Sequence, residues 1–141
     1  MTAIIEATFF RFLNYFKIMN LFPLIQDEPR PYWVYLFLTE ETATPQKCKI
    51  GITSQLANRL SKVECASGHK LNVQHLIPCK SEGQARAVEV ALHNYFRQQR
   101  LKGEWFFLGK ADIELISKVR SAPHLLELYN DGELNRFNEA A

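Results

Sequence analysis

From Tyr32 onward, apolar and polar positions fall into short blocks whose period keeps changing, and each change marks an element. Tyr32 to Leu38 (YWVYLFL) is continuously apolar, aromatic and β-branched, which predicts a buried strand. Glu40 to Gln46, with Pro45, is a polar connection. Lys47 to Thr53 (KCKIGIT) alternates polar with apolar and predicts a second strand, in a hairpin with the first. Leu56, Leu60 and Val63 then recur at helical spacing. Ser54 is placed to cap this helix, which runs to about Glu64, and Ser67-Gly68 to stop it. Leu71 to Cys79 (LNVQHLIPC) returns to strand, at a sheet edge because Pro78 has no N–H to give a neighbour.

Ser81 followed by Gln84 forms a capping box that opens the most regular helix, about Glu82 to Arg100, closed by Gly103. Trp105 to Leu108 is a short strand. Ala111 to Arg120 is another helix, with Asp112 and Glu114 in its first turn to suit the dipole. Pro123 and Gly132 frame a weaker terminal helix. This order predicts an α+β fold: a small α/β sandwich with a mostly antiparallel, three- to four-stranded sheet flanked by helices.

Ile4 to Ile25 fits none of these templates. Its polar residues (Thr8, Arg11, Asn14, Lys17, Asn20) drift round a helix and leave no clean polar face. Arg11 and Lys17 keep the apolar runs below bilayer length, so no stable membrane span is expected. Glu6 precedes any basic residue and no small-residue cleavage site follows, which argues against a signal peptide. The segment reads as a helix packed on the domain or loosely attached to it. Docking of residues 4–25 on a protein partner or a membrane surface, or a leader dispensable before Met19, are the alternatives. Pro23, Pro29 and Pro31 mark a linker. The chain thus divides into an apolar segment with linker (1–31), a folded domain (32–122) and a helical tail (123–141).

Composition adds two points. With 141 residues, 47% of them hydrophobic, and 17 aromatics, the chain can build one real core and is neither disordered nor collagen-like. Cys48, Cys65 and Cys79 cannot all pair with one another, and with no secretory signal they read as reduced thiols of a cytoplasmic protein. The net charge of +2 is uneven. Gln46 to Lys110 holds eleven basic residues against four acidic ones, while the remainder is acidic. A basic middle suits a partner bearing phosphates, although a solvated lysine-rich surface looks the same.

Two charges interrupt apolar stripes. Arg59 lies within Leu56, Leu60 and Val63, and Glu89 within Ala85, Val88, Leu92 and Phe96. A charge facing a core costs several kcal/mol unless it is paired, bound to metal or facing a cleft. Either the two form a buried bridge, or a guanidinium awaits a phosphate and a carboxylate a divalent cation. His93, four residues after Glu89, shares its helix face and either meets the same ion or phosphate or makes an ordinary hydrogen bond. Lys47, Lys62, His69 and Lys70 are further candidate contacts to phosphate or DNA. Cys65, His69 and Cys79 lack zinc-site spacing. Trp105, Phe106 and Phe107 read as core rather than as a base-stacking platform.

The run Val34-Tyr35-Leu36, then Lys49-Ile50-Gly51-Ile52-Thr53, then Arg59 eight places after the glycine, resembles the GIY-YIG nuclease superfamily. Ala85 to Phe96 (ARAVEVALHNYF), with Glu89, and Gly103-Glu104-Trp105-Phe106 resemble its phage and bacterial branch. The resemblance covers Tyr32 to about Arg120. Tyr35 matches the tyrosine of the first motif, Gly51 the glycine of the second, Arg59 the helix arginine and Glu89 the metal-binding glutamate. Trp33 stands where the first motif has glycine, and Lys49 where the second has tyrosine. The resemblance implies a DNA endonuclease that hydrolyses backbone phosphodiesters with one Mg²⁺ (or Mn²⁺) on Glu89. Arg59 would clamp the non-bridging oxygens, Tyr35 would act as general base or position the water, and Lys49 would supply charge. Tyrosine, with a pKa of about 10, is a poor base, so nearby cations are expected to lower it. Two other readings remain: a cleavage-deficient nucleic-acid-binding module on the same fold, and an interaction protein working through residues 4–25.

Overall fold

A computed structural model of the chain describes residues 31–41 and 43–130. The expected N-terminal helix, its docking role and the last part of the helical tail lie outside the described residues. Five strands form one sheet: β1 (Tyr32–Thr39), β2 (Gln46–Thr53), β3 (Leu71–Cys79), β4 (Arg100–Lys102) and β5 (Trp105–Leu108). Their order is β3-β1-β2-β5-β4, and all neighbouring pairs are antiparallel. Four helices accompany them: α1 (Leu56–Ser67), α2 (Glu82–Tyr95), α3 (Lys110–Ser117) and α4 (Ala122–Asn130).

Side chains alternate between the faces of a strand, and here both faces are covered, which is why β1 reads as an unbroken apolar run. Val34 and Leu36 point into the main core with Cys48, Ile50, Phe106 and Leu108; α2, α3 and α4 supply Val88, Leu92, Ile113, Ile116 and Leu125. Tyr35 and Phe37 point the other way, into a smaller cluster with Val63 of α1 and Leu71. Cys48 and Cys79 are buried, and burial pushes both thiols up to about 12; Cys65 is exposed, and all three are free. No helix among the described residues is long and apolar enough to cross a membrane.

The local signals hold at most element ends. Ser81 Oγ accepts from the Gln84 amide (3.1 Å), and Gln84 Oε1 accepts from the Lys80 amide (2.8 Å). Gly68 ends α1 with φ +72°, its N–H donating to the Glu64 carbonyl. β3 is an edge strand, as Pro78 requires. Three expectations are corrected. Ser54 does not cap α1: the helix starts later, and Thr53 Oγ1 accepts from the Gln55 amide instead. The helix from Glu82 ends at Tyr95 rather than Arg100. Arg97–Gln99 forms a 3₁₀ turn, and Arg100–Lys102 becomes β4, a fifth strand beyond the three or four expected. Pairing along the edge of β5 overrides the helix preference of those residues, and Gly103, at φ +58°, makes the tight return possible. The next helix, α3, stops at Ser117, short of Arg120.

One feature of the sheet prepares the site. β5 pairs with β2 only from Gln46 to Lys49. The Ile50 amide makes one more bond, to the Glu104 carbonyl (3.0 Å). Beyond it, Gly51 to Thr53 of β2 pair, among the described residues, with β1 alone.

Candidate functional site

Tyr35 and Glu104 meet over Gly51 at the end of this pairing, and Lys49 pairs with Glu104 beside them. Tyr35 lies directly across from Gly51 in the β1–β2 register. A Cβ on Gly51 would stand 2.3 Å from Tyr35 Oη, 2.6 Å from its Cζ and 2.8 Å from Glu104 Oε2. The phenol and the Glu104 carboxylate therefore both crowd the space that a side chain would fill, and glycine is required for room. Gly51→Ala is expected to cost about 1–3 kcal/mol in urea unfolding. Adding Tyr35→Phe should not restore that loss, because the contact at Cζ survives. Unchanged stability of Gly51→Ala would contradict this geometry.

Tyr35 is 1% exposed and its ring stacks on Phe37 at 3.9 Å between centroids. Its Oη is buried without a hydrogen-bond partner, and so is Glu89 Oε2. Lys49, two residues before Gly51 on the same face of β2, is 14% exposed; its Nζ lies 3.1 Å from Glu104 Oε2 and over the Trp105 ring. Glu89 and His93 project from α2, which packs against β2. His93 Nε2 bonds the Ile50 carbonyl at 2.9 Å; a carbonyl only accepts, so this nitrogen carries the proton. His93 thus makes the ordinary hydrogen bond, closing the last ladder position of β2.

The charges here perturb one another. Burial, reinforced by the Glu104 charge, raises Tyr35 well above its ordinary value, with Arg59 opposing. This corrects the expectation of a lowered tyrosine: among the protein's own groups, desolvation outweighs the cations, and the phenol stays protonated at neutral pH. Burial first, then Glu104, pushes Glu89 up to about 7, against the pull of Arg86 and Lys49. Burial lowers His93, which favours its neutral form.

Arg59 is exposed, which corrects its placement on a core-facing stripe. Val63 is the one fully buried residue of α1, while Leu56 and Leu60 are half-buried, so α1 sits shallowly and its flank opens to solvent. Among the described residues no ion pair joins Arg59 to Glu89, whereas Lys49 pairs with Glu104 and Arg86 with Glu82. The buried bridge weighed as an alternative is absent. Arg59 lines a cavity of about 300 Å³ at the end of β2, with Asn58, Lys62, Glu82 and Arg86.

The remaining candidates scatter. Lys62 shares the cavity with Arg59. Lys47 Nζ lies over the Trp105 ring at 5.9 Å, and His69 meets that ring edge-on at 6.4 Å. Lys70 is exposed in the turn before β3. The aromatic trio divides by strand alternation: Phe106 is core, Trp105 is half-buried, and Phe107 is 44% exposed, contrary to its reading as core.

Sequence reasoning missed Glu104 as a site residue. It follows the left-handed Gly103 at a hairpin tip, and no periodicity links it to Lys49 or Tyr35. Its available signal was an acidic residue inside an aromatic motif, next to a glycine turn. Among the described residues no cluster of three or more His, Cys, Asp or Glu has metal-binding geometry. A hard divalent cation that keeps several waters needs less. The buried, unpartnered oxygen of Glu89 is a donor suited to Mg²⁺ or Mn²⁺.

A family model described as the T5orf172 domain matches residues 32–121. No curated protein and no solved structure matches the chain. The chain belongs to the T5orf172 domain family, within the GIY-YIG nuclease clan.

Proposed function

We propose that this T5orf172-family chain is a divalent-cation-dependent DNA endonuclease that hydrolyses backbone phosphodiesters. The observation that carries the reading is Tyr35 and Glu104 over Gly51, with Lys49 paired to Glu104 and Glu89 acted on by both charges, and with Arg59 at the cavity at the end of β2 and not paired with Glu89. A half-buried acid with an unsatisfied oxygen and a buried hydroxyl that finds no hydrogen bond are costly to keep side by side in an inert core.

Hydrolysis by in-line attack of water places negative charge on the non-bridging and leaving oxygens. Arg59, planar and always charged, is suited to grip two of those oxygens at once. Lys49 adds a compact positive charge from β2. Tyr35 Oη, protonated and desolvated, can donate to a phosphate oxygen or accept from the attacking water, and so fixes its direction. Glu89 would hold a divalent cation, which when bound supplies charge to stabilise the phosphate oxygens. The basic stretch from Gln46 to Lys110 provides the long-range attraction to a polyanion.

Incubation of the protein with supercoiled plasmid and Mg²⁺ or Mn²⁺ tests this. Open-circular product that needs the metal and disappears in Arg59→Ala and Glu89→Gln is the expected result. Salt-sensitive DNA binding without nicking would instead assign the chain to the binding-module class.

A further inference from the structure

We infer that Glu104 is a second carboxylate of the cation site, holding a divalent ion together with Glu89 in the space over Gly51. This rests on reading the site as cation-dependent. Nothing in the single-carboxylate arrangement implied by Glu89 alone requires a second acid here.

Three observations converge on this assignment. Glu104 Oε2 and Tyr35 Oη both lie within 2.8 Å of the point where a Gly51 Cβ would stand, so they face one small space, one from the β4–β5 turn and one from β1. Glu104 is also the charged group that acts most strongly on Glu89 of α2. The two carboxylates are thus close enough to act on one another, and among the described residues Lys49 is the basic side chain within ion-pair distance of Glu104. Independently, Tyr35, almost wholly buried, aims a hydroxyl with no partner into that space. A desolvated hydroxyl beside two acids calls for a polar occupant, and a hydrated cation supplies one. Its charge answers the carboxylates, and its water or a bridging phosphate oxygen answers the phenol.

The backbone holds Glu104 ready for this. Its carbonyl accepts from the Ile50 amide (3.0 Å), and Gly103 at φ +58° turns the chain from β4 into β5 immediately before it. The donor thus sits on the end of the sheet rather than on a free loop, as a chelating site needs. Lys49 Nζ supplies part of that charge at 3.1 Å. The competing account makes Glu104 no more than the counter-ion that positions Lys49.

Mn²⁺ binding to the full chain without DNA, read from the electron paramagnetic resonance signal of free Mn²⁺ at pH 8, separates the two accounts. Glu104→Gln and Glu89→Gln should each weaken binding roughly tenfold or more. Glu104→Asp, which keeps a carboxylate, should lose less. Lys49→Met should tighten binding, since a competing charge is gone. Far-UV circular dichroism identifies any variant that fails to fold, and Glu104→Asp and Lys49→Met then decide the matter. Wild-type affinity in Glu104→Gln, or no Mn²⁺ bound by the wild type at millimolar concentration, overturns the assignment. The nuclease reading fails separately: a protein that binds Mn²⁺ through both acids yet nicks no plasmid keeps the site and loses the reaction. Equal metal-dependent nicking by wild type and Glu104→Gln does the reverse.

Discussion

Glu89→Gln is expected to lower Mg²⁺-dependent nicking by at least about 10³-fold, some 4 kcal/mol of transition-state stabilisation, while making the fold more stable above neutral pH. Both effects come from one half-buried acid. Folded, Glu89 keeps its proton up to about 7, chiefly because burial disfavours its charged form; its ordinary value is 4.5. Between those values the native state binds the extra proton, so stability falls as pH rises through that window. Glutamine never ionises and escapes the loss. Discounted for partial solvent access, the gain at pH 8 is on the order of 1–2 kcal/mol. Thermal melts in chelator should show the two proteins parting as pH climbs from about 4.5 to about 7, with a constant difference above. A variant that melts lower than wild type at pH 8, or that still nicks, contradicts the role given to Glu89.

Arg59→Ala should reduce nicking by roughly 10²- to 10³-fold, the usual cost of removing one donor to a developing oxyanion. It should leave stability within about 0.5 kcal/mol, because Arg59 is exposed and forms no ion pair among the described residues. This split distinguishes a group facing substrate from one supporting the fold. Arg59→Lys should recover little of the rate, since an ammonium cannot offer two parallel donors to a phosphate. Single-turnover rates at saturating protein read the chemical step apart from binding. A lysine variant as fast as wild type would reduce Arg59 to a general positive charge.

Much of this fold is written in local pattern. The unbroken run at β1 follows from burial on both faces, and the Ser81–Gln84 box marks a helix start whose donors need partners. Pro78 placed β3 at an edge because it has no N–H to give. What escaped was set by distant partners. Phe96 to Arg100 read as the end of a helix, but a 3₁₀ turn intervenes and Arg100 joins the ladder at the edge of β5. Arg59 read as buried because spacing along α1 does not reveal how deeply the helix settles on the sheet. Phe107 read as core from composition, yet strand alternation turns it away from buried Phe106 and leaves it 44% exposed.

The site divides in the same way. Tyr35, Lys49, Gly51, Arg59 and Glu89 were legible as residues whose type conflicts with their surroundings or matches a motif. Their meeting point was not, because it depends on where β5 stops pairing with β2. Glu104 was invisible as a site residue for that reason. It belongs to a hairpin tip whose position is fixed only once the Ile50 amide bonds its carbonyl. The direction of the shift at Tyr35 likewise depended on burial depth, which outweighs the nearby cations.

Anomalous diffraction at the manganese edge, from crystals of the protein grown with duplex DNA and Mn²⁺, examines the account at its root. The expected map places the ion in coordination distance of the Glu89 carboxylate beside Gly51, with a backbone phosphate between it and Arg59. An ion bound elsewhere, or DNA lying on the opposite face over α3 and α4, would contradict it.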